Sequence, residues 1–141
     1  MKDIDEILKF AEEAHKGQIR KFGKDKGKPY IIHPMRVSEK ARTYIQKQAA
    51  LLHDVIEDGY INGFKVTETD LTYYDIDERV INIVVELTRK DNETYFDFIM
   101  RIKENSDAKA IKILDIEDNL TDLTEGTLKD KYRLSKWILE H

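Results

Sequence analysis

The chemistry of this chain is concentrated in Leu51-Leu52-His53-Asp54-Val55-Ile56-Glu57-Asp58-Gly59, where a histidine and three carboxylates fall within six residues. At 3.6 residues per turn, a helix from Ile45 to Asp58 stacks Glu57 on His53 and Asp58 on Asp54. Gly59 is a residue type that ends helices in the left-handed conformation. Glu57 and Asp58 then occupy the last turn, where the macrodipole disfavours a carboxylate by about 0.3–1 kcal/mol. A positive partner offsets that cost, and a divalent cation is the simplest candidate. Two further residues suit the same ion. His33 stands before Pro34, which restricts it to an extended conformation at a helix entrance. Asp115 lies among Ile113, Leu114 and Ile116, so it is expected to be partly buried, and a buried carboxylate needs a partner. Two imidazoles (His33, His53) and two carboxylates (Asp54, Asp115) suit Mn²⁺, Fe²⁺ or Zn²⁺ better than Ca²⁺ or Mg²⁺. Such an ion lowers the pKa of bound water and supplies hydroxide near neutral pH.

A basic loop stands upstream. Residues 16–28 hold Lys16, Arg20, Lys21, Lys24, Lys26 and Lys28, interrupted by Gly17, Gly23 and Gly27. Arg20 can bind a phosphate bidentately and Lys21 can act as a point charge beside it. Lys24, Lys26 and Lys28 read as a solvated surface. His15 reads as a capping or packing histidine.

The elements that must carry these residues read as helices. Asp3 caps a first helix with Ile4, Ile7, Leu8, Ala11 and Ala14 on one face, ended by Gly17. A short helix runs from Met35 to Tyr44, and 59–66 is a loop. Thr67 with Asp70 forms a loose capping box. Asp75 or Asp77 caps a buried helix through Val80, Ile83, Val84 and Leu87. Another starts at Asn92-Glu93-Thr94. Ser106 or Asp107 caps the helix that carries Asp115, Asp118, Asn119 and Asp122 along one ridge. Asp118 and Asp122 read there as a solvated face. Thr127 caps the last helix, where Trp137 packs and Lys131 and Tyr132 can face a pocket. About eight helices and no firm strand give an all-α chain.

Composition narrows the alternatives. Lys+Arg is 24 and Asp+Glu is 28, so the charge balance argues against a general nucleic-acid binder. There is no cysteine, which excludes disulfides and thiolate chemistry. No apolar run approaches the roughly 20 residues that cross a membrane, and the N-terminus lacks the apolar region of a signal peptide. A cytoplasmic protein without membrane or nucleic-acid partners is the expectation, as one domain over 1–141.

The motifs resemble a known family. Ala14-His15-Lys16-Gly17-Gln18-Ile19-Arg20-Lys21, Pro29-Tyr30-Ile31-Ile32-His33-Pro34, Ala50-Leu51-Leu52-His53-Asp54-Val55-Ile56-Glu57-Asp58, Leu87-Thr88-Arg89 and Ile111-Lys112-Ile113-Leu114-Asp115, then Asn119-Leu120, keep the order and spacing of RelA/SpoT HD-type hydrolases. They are most similar to the small stand-alone alarmone hydrolases of the stringent response. The resemblance implies an HD helical bundle and one Mn²⁺ held by His33, His53, Asp54 and Asp115. Glu57 and Asp58 match the catalytic pair that orients or activates water. Arg20, Lys21 and Asn119 match substrate contacts. The implied reaction removes the 3′-pyrophosphate of (p)ppGpp to give GDP or GTP. Gly59, Ile116 and Glu117-Asp118 depart from the family pattern, the last two by loss of positive charge. That keeps open a phosphohydrolase for another nucleotide (a nucleoside monophosphate or NADPH) or a non-catalytic nucleotide sensor.

Overall fold

Side-chain caps set where most of the helices begin. In the computed structural model, which describes residues 1–141, Asp3 accepts the Glu6 N–H and opens α1 (Ile4–Ala14). Thr43 accepts from Gln46 and opens α3 (Tyr44–Leu52). Thr67 and Asp70 close a reciprocal capping box on α5 (Glu68–Tyr73). Asp77 caps α6 (Glu78–Glu86) and Thr94 caps α7 (Tyr95–Lys103). The cap of α8 (Ser106–Asp122) is Asn105, which accepts from Ala108 N–H, rather than Ser106 or Asp107. α9 (Thr127–Glu140) has Gly126 at its N-cap, and Thr127 is its first helical residue.

Two helices depart from expectation, both at the chemical residues. α2 spans Ile32–Lys40, so His33 lies inside its first turn. Pro34 is tolerated there because a first-turn N–H has no intrahelical acceptor to lose. The expected continuous helix from 45 to 58 is broken at His53-Asp54, and α4 restarts as Val55–Asp58. Asp54 becomes the N-cap of α4 and keeps the expected spacing to Asp58, whose N–H its carbonyl accepts at 2.9 Å, while His53 is buried at the break. Gly59 is extended (φ −90°) rather than left-handed. Its N–H closes on the Val55 carbonyl at 2.9 Å, and a Cβ there would lie 2.4 Å from that oxygen.

Residues 60–65, expected as loop, form a two-stranded ribbon, β1 (Tyr60–Ile61) and β2 (Phe64–Lys65). Asn62 and Gly63 at its turn have φ of 52° and 82°, the backbone of a tight hairpin that Asn-Gly favours. The other regular elements are all helices, as the sequence predicts, and the basic loop is closed by a single bridge between Ile19 and Pro29. No helix is long and apolar enough to cross a membrane.

The apolar faces meet in one cluster of 25 buried residues. α3 lies at the centre: it packs on α1, α2, α6 and α8, while α8 also packs on α2, α7 and α9. Trp137 is not part of this core; it is 59% exposed and stacks on His141. Ile102, on α7, is fully buried. Ile102→Ala is expected to lower unfolding stability by about 2–5 kcal/mol, because it removes buried methylenes and leaves a cavity. Urea denaturation checks this, and a loss under about 1 kcal/mol would place Ile102 outside the tightly packed core.

Candidate metal centre and nucleotide cavity

Three segments meet where α3 ends. His33 from α2, His53 from the break after α3 and Asp115 from the middle of α8 are all buried. One ligand atom from each lies within 4.8 Å of the others. His33 Nε2 is 2.7 Å from Asp115 Oδ1, and His53 Nε2 is 3.4 Å from the same oxygen. Asp54 joins at the edge: its Oδ2 is 3.1 Å from His53 Nε2, and it accepts the Tyr30 hydroxyl.

The outer contacts aim both imidazoles. His53 Nδ1 is 2.6 Å from the Ala50 carbonyl oxygen. A carbonyl only accepts, so Nδ1 carries the proton and the Nε2 lone pair of the neutral ring faces the centre. His33 Nδ1 is 2.6 Å from Asp118 Oδ2, which leaves its Nε2 facing the same point. Buried His53 Nε2 makes no well-aligned hydrogen bond, although carboxylate oxygens of Asp54 and Asp115 lie 3.1 and 3.4 Å away, and a buried nitrogen left in that state demands explanation. Nitrogen and oxygen donors converging on one spot fit a divalent cation there.

Charge supports this geometry. Burial pushes the His53 imidazolium down, but Asp54 and Asp115 outweigh it and hold its pKa well above the ordinary value. Burial likewise works against ionised Asp115, yet Lys112 and His53 keep its pKa well below the usual range. Lys112 Nζ donates to Asp115 Oδ2 at 2.8 Å. So many carboxylates around two rings hold positive charge in place, which a metal ion can supply instead of protons.

The centre opens into a cavity of about 830 Å³. Its lining contains the expected His33, Asp54, Glu57, Asp58, Asp115, Arg20, Lys21, Asn119, Lys131 and Tyr132. His53 stands behind the wall at the centre. Burial, then the charge of Asp54, raises the pKa of both Glu57 and Asp58. Burial, then Asp115, pushes the Tyr132 hydroxyl up to about 12. Gln18 tethers the end of α4: its Nε2 donates to the Asp58 carbonyl at 2.7 Å while its Oε1 meets His15 Nδ1 at 2.8 Å. His15 is thus the packed, capping residue the sequence suggested.

The cations divide into bound and free. Arg20 donates through one nitrogen to Asn119 Oδ1 at 2.9 Å and Asp122 Oδ2 at 3.2 Å. Lys112 is held by Asp115, whereas Lys21, Arg89 and Lys131 make no ion pair. Burial, then the charges of Arg89 and Lys112, lowers the pKa of Lys131. Cations gathered at mutual cost favour an anionic ligand.

The sequence misplaced Asp118 and Asp122. Both are buried, not solvated: Asp118 holds His33 and Arg36, and Asp122 holds Arg20. Asp122 also pins the basic strap to α8, accepting the Asp25 N–H on its side chain and the Lys24 N–H on its carbonyl. Gly23 permits this approach, since a Cβ there would lie 2.2 Å from the Asp122 carbonyl oxygen. Tyr30, Arg89, Tyr95 and Lys112 also line the cavity without having been singled out as site residues. Lys112 had a legible signal, since positions 112 and 115 share a helix face.

Named proteins share this frame, although no family model matches the chain. The guanosine-3′,5′-bis(diphosphate) 3′-pyrophosphohydrolase of Aquifex aeolicus is 30% identical over 154 aligned residues, covering 98% of this chain and 20% of that protein. The protein of the same name from Vibrio cholerae is 41% identical over 81 residues, 55% of this chain and 10% of its own. The bifunctional (p)ppGpp synthase/hydrolase SpoT of Escherichia coli is 40% identical over 81 residues, with the same coverage of 55% and 10%. The chain therefore spans a fifth or less of the length of these relatives. Among solved structures, a metazoan ortholog of SpoT, described as hydrolysing ppGpp, superposes with a TM-score of 0.72. It is 25% identical and the match covers 96% of this chain and 82% of that one. Similarity along nearly the whole chain, in sequence and in fold, makes this chain an HD-domain member of the RelA/SpoT family.

Proposed function

We propose that the chain is a metal-dependent nucleotide phosphohydrolase that removes the 3′-pyrophosphate of (p)ppGpp, giving GDP or GTP, with residues 1–141 acting as one domain. The observation that carries this reading is the convergence of His33, His53 and Asp115 on the wall of a cavity that also holds free cations. The relatives' names supply the nucleotide.

In this reading His33, His53, Asp54 and Asp115 hold one divalent cation. The mixed nitrogen and oxygen set favours Mn²⁺, with Fe²⁺ or Zn²⁺ as alternatives. When bound, the ion supplies Lewis-acid chemistry, making water a nucleophile near neutral pH and drawing charge from a phosphoryl oxygen. Glu57 and Asp58 orient the attacking water and take its proton. The water oxygen bonds to the phosphorus attached to the ribose 3′ oxygen. The bond between that phosphorus and the 3′ oxygen breaks, releasing pyrophosphate, and the proton taken from water passes to the 3′ oxygen, leaving a 3′ hydroxyl. Lys21, Arg89 and Lys131 bind the phosphates, Asn119 and Tyr132 line the substrate, and Arg20 acts from its pair with Asp122. That ion pair (3.2 Å) also favours a second reading, hydrolysis of a less highly charged nucleotide, because it neutralises one cation of the cavity. A cytoplasmic enzyme with a small-molecule substrate follows from either reading.

A nucleotide panel with added Mn²⁺ separates the two: pyrophosphate released from ppGpp supports the first, and orthophosphate from another nucleotide supports the second. No release from any nucleotide would refute both. Asp58→Asn is expected to retain the metal and lose at least about 100-fold in kcat, since general acid–base catalysis contributes 10²–10⁴-fold; wild-type turnover would remove Asp58 from the mechanism. The raised pKa values of Glu57 and Asp58 also give the pH profile a sign. A proton-accepting carboxylate is lost as pH falls through its pKa, so kcat/KM should decline above the ordinary carboxylate range. In Asp58→Asn that limb should change shape. A wild-type profile flat down to pH 4 would contradict the role.

A further inference from the structure

His33 is held between two carboxylates, Asp115 at 2.7 Å from Nε2 and Asp118 at 2.6 Å from Nδ1. A neutral imidazole has one proton and can donate it to only one of them. If the proton sits on Nε2, it bonds to Asp115 and blocks the lone pair that faces the centre. If it sits on Nδ1, it bonds to Asp118 and the lone pair is free. We infer that Asp118 is a positioning residue that draws the His33 proton to Nδ1, away from Asp115, and so keeps Nε2 available to the metal.

The contrast with His53 carries this assignment. The carboxylates facing His53 Nε2 stand off, Asp54 at 3.1 Å and Asp115 at 3.4 Å, whereas Asp115 lies 2.7 Å from His33 Nε2. The ring farther from Asp115 is held by a neutral acceptor, the Ala50 carbonyl. The ring nearer to it is held by a charged one. The stronger competition for the proton is met by the stronger acceptor. Arg36 keeps Asp118 ionised and aimed, donating to its two oxygens at 2.7 and 3.0 Å. Arg36 is itself fixed on the other side by Asp25 at 2.8 Å. Asp118 is 3% exposed, so water does not take over its role.

The inference rests on the metal-site reading above, and the test separates the two. Mn²⁺ binding to the whole protein is measured by titration calorimetry for wild type, Asp118→Asn and Asp118→Ala, with the melting temperature of each recorded in EDTA. Asp118→Ala is expected to weaken Mn²⁺ binding about 10–100-fold, the usual effect of losing an outer-shell partner. Asp118→Asn, which keeps a neutral acceptor, should fall between it and wild type. Activity of both variants should return at saturating Mn²⁺. Equal Mn²⁺ affinity in wild type and Asp118→Ala overturns the inference while leaving the metal site standing. Equal losses in the two variants that track a drop in the metal-free melting temperature overturn it too, since a purely structural role gives that pattern. Wild type that binds no Mn²⁺ overturns both the inference and the reading beneath it.

Discussion

The shared constraint is that a single buried carboxylate, Asp115, serves two imidazoles and a lysine. Its oxygens meet His33 at 2.7 Å, His53 at 3.4 Å and Lys112 at 2.8 Å. Ionised carboxylates are almost never buried without such partners. To supply them, the chain must bring α2, the end of α3 and the middle of α8 together, which is why α3 and α8 are the most connected helices. The apolar cluster provides the energy for that convergence, and the polar contacts select its geometry. A core of similar size with a different helix register would bury Asp115 without its partners.

Around this point the structure solves an electrostatic problem in layers. The carboxylates at the centre attract protons to the two histidines, which would block metal binding. The acceptors behind the rings, Ala50 and Asp118, fix which nitrogen keeps a proton. Farther out, Arg36 and Arg20 neutralise Asp118 and Asp122. The cations left unpaired, Lys21, Arg89 and Lys131, face the cavity. The negative centre and positive rim suit a cation and a polyanion bound side by side, the two components of metal-assisted phosphoryl transfer.

Much of this was legible in the sequence, for identifiable reasons. His33, His53, Asp54 and Asp115 are residue types with few structural uses in apolar surroundings, so their convergence was expected, and the cavity contains the substrate candidates. Helix caps at Asp3, Thr67, Asp77 and Thr94 follow from local hydrogen bonding, which sequence encodes directly. The misses depend on partners distant in the chain. Asp118 and Asp122 were read as solvated because only the fold brings Arg36 and Arg20 to them. The break at His53-Asp54 has no local breaker such as proline, so periodicity ran through it. The ribbon at 60–65 did have a local signal, Asn62-Gly63, but its strands are two residues each, too short to show alternation.

The central claim is that His33, His53 and Asp115 converge on one cation. Anomalous diffraction at the manganese edge, from crystals grown with Mn²⁺, tests it most directly. The account predicts one strong peak in direct contact with Nε2 of both histidines and with an Asp115 oxygen. A peak elsewhere in the cavity, or bonding through Nδ1 of either ring, would contradict it.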